Sequence, residues 1–278
     1  GLISPRGLLF QGDVLLQDVS LTGAQIDLRR AADGSVAVAF GGDRKLEQAP
    51  SVIALLERSD TVLSSAALNA LEQVQADGVI INYTDARAGR NWTVDGGQIN
   101  LDLRNQQISL TSDFVLLTGG ADVTRLQMSY QSPRADRSAD IGVSVTNARA
   151  RDIASQTPAL AWLADVDAAL TATMRTGLNA DGTLRPLNAT LAIGAGALRP
   201  NRATEPLQFD AAKTYLSYDP NDQKITFDQI EITAPLGRIE AAGQAYLSDF
   251  RHGKPQSLIA QFDAPVARVA AGDIYADG

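Results

Sequence analysis

The feature that most constrains this chain is alternation. Over most of its length apolar and polar residues change places with a period of about 2, the pattern of a strand with one face buried. Ile99, Leu101 and Leu103 alternate with Gln98, Asn100 and Asp102. The same pattern carries Val79, Ile81 and Tyr83, then Ile108 and Leu110, then Leu126, Met128 and Tyr130, then Ile141, Val143 and Val145. It resumes through Leu170, Ala172 and Met174, Leu191 and Ile193, Ile225 and Phe227, Ile230 and Ile232. Short turn sequences separate these runs. Asp33-Gly34, Asn105-Gln106, Asp181-Gly182 and Asp219-Pro220-Asn221-Asp222 all suit tight turns, because Gly and Asn tolerate positive φ and Asp bonds its own backbone. Roughly fifteen strands in an antiparallel meander are expected.

Two places break the pattern. Residues 46–76 lose the alternation, and the spacing of Val52, Leu55, Leu56, Leu68 and Leu71 predicts two short helices over about 49–58 and 64–73. Thr157-Pro158 is a hydroxyl cap followed by proline, which predicts a helix of one or two turns over Pro158–Ala164. No helices of about 10–15 residues alternate with the strands, so a doubly wound α/β fold is not expected. The chain reads as one elongated β-rich piece, with sub-modules at 1–150 and 151–278. Gly97–Tyr130 and Ala212–Leu247 echo one another as strand, turn, strand, break and strand. The chain starts at Gly1 without an initiator methionine, so it is expected to be part of a longer protein.

The chemistry of catalysis is sparse. There is no cysteine and one histidine, His252, set in the polar stretch Asp249–Lys254. This excludes thiolate nucleophiles, cysteine-ligated zinc and sites built from several histidines. No G-x-S-x-G elbow accompanies the histidine, and Gly41-Gly42, Gly96-Gly97 and Gly119-Gly120 lack the pattern of a phosphate loop. Asp33, Asp77, Asp85, Asp95, Asp181 and Asp219 lie at turn sequences, and Lys224 stands where an EF-hand loop needs glycine. No enzyme, cofactor or metal site is expected. The net charge is −8, which argues against a nucleic-acid partner. The longest apolar run, Ala159–Ala164, is far short of the roughly 20 residues of a membrane-spanning helix. Four lysines against twenty arginines suggest a bacterial, GC-rich source.

Three segments carry a likeness: DVSLTGAQIDLRRAADGSVAV (Asp18–Val38), ADGVIINYTDARAGRNWTVDGGQINLDL (Ala76–Leu103) and FDAAKTYLSYDPNDQKITFDQIEITAPLGRIEAAGQAYL (Phe209–Leu247). Together they resemble the AsmA-like proteins of Gram-negative envelopes, of the YhdP/TamB type, most of all the YhdP central region. The resemblance implies a long, curved, largely antiparallel sheet open as a groove. It also implies a periplasmic segment of a protein anchored in the inner membrane, conducting phospholipids between the two membranes. The partners it implies are phospholipid acyl chains. It carries over no residue one by one.

The alternating apolar face supplies the candidate lining: Ile99, Leu101, Leu103, Ile108, Leu110, Leu126 and Met128. The same residues equally suit the filled core of a sandwich. A structural or adhesive β-solenoid or sandwich of a surface protein is therefore the alternative, and a carboxylate hydrolase a third. Openness of the apolar face separates the first reading from the second.

Overall fold

The computed structural model describes residues 2–3, 16–33, 35–40, 47–49, 70–86, 89–117, 123–154, 158–199, 205–235, 237–251 and 255–269. The first half of the chain contributes β1 (Leu2–Ile3), β2 (Leu16–Thr22), β3 (Gln25–Arg30), β4 (Val36–Phe40), β5 (Glu47–Ala49), β6 (Gln73–Asp85), β7 (Arg90–Asp102), β8 (Gln107–Leu117) and β9 (Val123–Pro133). The second contributes β10 (Ala139–Arg149), helix α1 (Ala150–Ala154), a 3₁₀ helix (Pro158–Asp165), β11 (Val166–Asp167), β12 (Ala169–Leu178) and β13 (Leu187–Ile193). It ends with β14 (Gly196–Leu198), β15 (Leu207–Phe209), β16 (Ala211–Asp219), β17 (Lys224–Ala234), β18 (Gly237–Ser248) and β19 (Ser257–Val269).

The protein is mainly β, as the alternation requires. Fourteen strands follow one hydrogen-bonded path, β19-β18-β17-β16-β13-β12-β10-β9-β8-β7-β6-β3-β4-β5, with β2 added on β6 and β1 on β2. The path has two ends, so the sheet is not closed into a barrel. The chain divides into two compact units, 1–141 with 180–182 and 142–179 with 183–278.

In the first unit, hairpins join β6 to β9 in sequence order, all antiparallel. The turn between β7 and β8 holds Asn105 at φ 56° and Gln106 at φ 57°, the positive-φ pair of a tight hairpin. β2 and β3 depart from the meander: both pair with β6 in parallel, one after the other along its length. Gly23, at φ 67°, joins them without reversing direction, and its N–H donates to the Asp77 carbonyl. At about 3.3 Å per residue, the thirteen residues of β6 are long enough to carry both.

Gly78 at φ 63°, on β6, lies beside Gly23, and Gly96 at φ 73° is on β7, the next strand beyond β6. Register shifts accompany them, between Ala76 and Val79 and between Val79 and Ile81 on β6. A crease of bulges thus crosses β2/β3, β6 and β7, and bulges of this kind sharpen local twist.

In the second unit β12, β13, β16, β17, β18 and β19 pair antiparallel in that order. A small sheet, β11-β14-β15, lies apart from it. Its core is the cluster Ala148, Ala150, Ala154, Leu163, Val166 and Leu170, into which α1 and the 3₁₀ helix pack. Val145, Leu191, Ile193, Leu198 and Phe209 close around it.

Several expectations need correction. The helix read over about 64–73 does not reach its end: Gln73 and Val74 belong to β6, because the Gln73/Val74/Gln75/Ala76 alternation and pairing on both sides outweigh the local helical spacing. Residue 49 closes strand β5. The remainder of both helices, 50–69, lies outside the described residues, as does His252. The helix at Pro158 is present but is 3₁₀ and runs to Asp165. Asp77 and Asp95 sit at the bulges inside strands rather than in turns. Asp85 closes β6 at the head of the turn expected there, and it is 1% exposed and paired with Arg30 across the sheet.

Candidate functional site

In the first unit the alternation sorts side chains onto two unlike faces. Register places Val19, Val74, Leu101, Leu110 and Tyr130 in one row across five strands. The next row is Leu21, Ala76, Ile99, Ser112 and Met128. Beyond the crease come Ile26, Ile81, Val94, Leu116 and Thr124, then Val38, Leu28, Tyr83 and Trp92. Opposite residues of a sheet share a face, so these rows form one apolar surface.

Six of the seven candidate lining residues, Ile99, Leu101, Ile108, Leu110, Leu126 and Met128, fall on this surface. Leu103 differs: it lies just beyond β7 and is buried, 6% exposed, with its N–H bonded to the Glu72 carbonyl. It packs the sheet's end and presents no free surface.

Exposure shows how this face is covered. Met128 is 41% exposed and Leu21 45%. Ile99, Leu101, Ile108, Leu110 and Leu126 are half-buried. Under a second packed layer such side chains fall nearly to zero, as Val79 does at 0%. On the same face Val38, Ala76, Val94 and Trp92 are buried too, at 3%, 6%, 7% and 8% exposed. Phe114 of β8 lies over Gly97 of β7, opposite Val79, so closely that a Cβ on Gly97 would sit 2.7 Å from the ring. β6 to β9 make their main contacts with sheet neighbours. Among the described residues, no second layer closes the Leu101 and Ile99 rows.

The apolar rows end in charge. Arg30, Asp85 and Arg90 are in register, and Arg30 Nη1 lies 3.4 Å from Asp85 Oδ2. The Tyr83 hydroxyl donates to Asp85 at 3.1 Å, and its ring stacks on Trp92 with centroids 5.4 Å apart. Burial, and after it the Asp85 charge, pushes the Tyr83 phenol above its ordinary pKa. This cluster anchors the end of the sheet.

The second unit repeats the sorting. Leu170, Ile193, Ala212, Ile232 and Ile239 share a row, as do Met174, Ala189, Leu216, Phe227, Gly243 and Phe262. The helices and the small sheet cover the Leu170 end. Toward β18 and β19 the face opens: Ile239 is 41% exposed and Phe262 47%. Phe262 lies over Gly243 and packs on Phe227 at 5.3 Å, the same glycine-under-phenylalanine arrangement as Gly97 and Phe114.

Sequence reasoning found the apolar face from period 2. It did not find the Arg30–Asp85 pair, which joins residues 55 apart, since no local signal marks two strands as parallel neighbours. Among the described residues no group of three or more His, Cys, Asp or Glu side chains is placed to hold a metal ion. No helix of the described residues is long and apolar enough to cross a membrane. No family model, curated protein or solved structure matches the chain, so the AsmA-like reading rests on its own three segments.

Proposed function

We propose that this chain is a segment of a periplasmic, AsmA-like protein whose apolar sheet face carries phospholipid acyl chains between the inner and outer membranes. The observation behind this reading is the partly exposed apolar surface around Leu21, Ile99, Leu101, Leu110 and Met128, over which the described residues place no second layer. Each CH₂ withdrawn from water contributes about 0.8 kcal/mol, so a sixteen-carbon chain crossing water unprotected costs about 12 kcal/mol. A continuous apolar surface removes that cost, and rows spanning five strands supply one. Among the described residues these rows carry no charge short of the Arg30–Asp85–Arg90 row, so an acyl chain along them desolvates no ion, only the hydroxyls of Ser112, Thr124 and Tyr130.

Photo-crosslinking tests this reading. A benzophenone side chain at Ile108 or Leu126 is expected to form adducts of lipid mass when the protein is made in a Gram-negative host. The same group at Thr111 or Gln127, on the opposite face, is expected to form none. Adducts equal from both faces, or absent from both, refute it.

A further inference from the structure

We infer that the outer edge of β19 is where a second copy of this chain joins, the two edges pairing antiparallel about a twofold axis at Ala260. The site lies in the second unit and is independent of the acyl-chain reading.

β19 ends the hydrogen-bonded path, and β18 is its one strand neighbour among the described residues. In an antiparallel pair, alternate residues turn their N–H and C=O toward the partner strand and the others turn them away. A Cβ built on Gly243 would run into the Gln261 carbonyl oxygen, so that carbonyl faces β18. Leu258, Ala260 and Phe262 therefore turn theirs to the open edge, one donor and one acceptor each. Every residue from Ile259 to Pro265 is exposed.

Such an edge is a template for further pairing, and proteins blunt it with lysines, inward charges, bulges or prolines. Between Ser257 and Phe262 β19 has none of these; its bulge and Pro265 come only past Asp263. The alternation also lapses here. Leu258 and Phe262 are apolar on the face that carries Phe227, and Ile259 is apolar on the other, beside Tyr246. Ile259, 67% exposed, is the most exposed large apolar side chain among the described residues. A strand apolar on both faces is one that is covered on both.

The sequence of the edge points to a second copy as the cover, because it is nearly palindromic. Pro255 and Pro265 stand five residues to either side of Ala260. Pairing the edge with itself about Ala260 sets Leu258 against Phe262, Ile259 against Gln261, Ser257 against Asp263 and Pro255 against Pro265. Apolar meets apolar on the Phe227 face, with the small Ala260 pair between the two Leu258–Phe262 contacts. No charged side chain of β19 faces another. The prolines, which cannot donate, bound the ladder at both ends. All the open donors and acceptors of Leu258, Ala260 and Phe262 are used. Moving the axis to Gln261 sets Ile259 against Asp263, and moving it to Ile259 sets Phe262 against Gln256. The pairing about Ala260 extends the apolar row of Met174, Ala189, Leu216, Phe227 and Phe262 to Leu258 of the copy.

The test uses the full chain in solution. Sedimentation is expected to give twice the mass of one chain, falling to that of one on dilution. The chain has no cysteine, so Ala260→Cys puts a single thiol on the axis, where paired Cα atoms lie about 5.5 Å apart, within disulfide reach. Oxidation is expected to link this variant to its copy. Ala264→Cys, equally exposed but about 25 Å from its copy in this register, is expected to stay unlinked. Ile259→Lys with Gln261→Lys sets like charges opposite one another and is expected to abolish the dimer, whereas Ile259→Lys with Gln261→Glu is expected to keep it, with circular dichroism unchanged in both. A chain that is monomeric at every concentration, linking at 264 equal to that at 260, or a dimer indifferent to the lysine pair overturns the inference. So does a monomer in which the Leu258, Ala260 and Phe262 amides resist hydrogen exchange, which assigns the edge to another segment of the same chain.

Discussion

Gly97 offers a test of how the sheet covers itself. Its backbone is not in the positive-φ region, so alanine is conformationally permitted there. On an unobstructed strand, replacing glycine by alanine gains about 0.5–1 kcal/mol from the lower entropy of the unfolded chain. Here the new Cβ would lie 2.7 Å from Phe114 Cδ1, 3.0 Å from its Cε1 and 3.2 Å from the Val79 carbonyl oxygen. The ring must move, next to the fully buried Val79 that pairs with Gly97. Overpacking of this kind costs about 1–3 kcal/mol, so Gly97→Ala is expected to destabilise the first unit by about 0.5–2 kcal/mol net. Phe114→Ala removes the obstruction. In that background Gly97→Ala is expected to be neutral or stabilising, a coupling of about 1 kcal/mol or more. Urea unfolding followed by Trp92 reads this directly in a Trp162→Phe background, since these are the two tryptophans. Additivity of the two substitutions to within about 0.5 kcal/mol refutes the reasoning.

Three further outcomes are expected. Asp85→Asn leaves Arg30 without its buried counter-charge and is expected to cost about 1.5–3 kcal/mol in urea unfolding; a loss under about 0.5 kcal/mol refutes the pairing. The Tyr83 and Tyr218 phenols are both raised above 10.0, chiefly by burial, so their contribution is complete below that pH and is lost as pH rises through their folded values. Phenylalanine at both positions is expected to flatten the decline in urea midpoint between about pH 9 and 11. Asp102 is held down to about 2 by the bonds from Arg104, so its contribution is present above the ordinary 3.8 and fades as pH falls toward 2. Arg104→Ala is expected to remove that acid-side dependence, and an unchanged profile contradicts the assignment.

Much of the fold was legible because strand alternation is local. Ile99, Leu101 and Leu110 declare their face by spacing alone, and Asn105-Gln106 declares its hairpin. What stayed hidden was long-range. Nothing near Gly23 says that β2 and β3 will line up in parallel along a strand some 50 residues later. Asp85 looks like a turn residue until Arg30 arrives from a distant strand. Leu103 keeps the phase of its strand but lies past its last paired residue, so phase alone counted it with the candidate lining.

The central claim is that the apolar face of β6 to β9 is occupied by acyl chains. Mass spectrometry of an organic extract of the purified chain, beside the Leu101→Asp, Leu110→Asp and Leu126→Asp triple variant, tests it most directly. Phospholipid is expected with the parent chain, and its loss from the variant while β-sheet circular dichroism persists. A parent chain that yields no phospholipid, or a variant that yields as much, contradicts it.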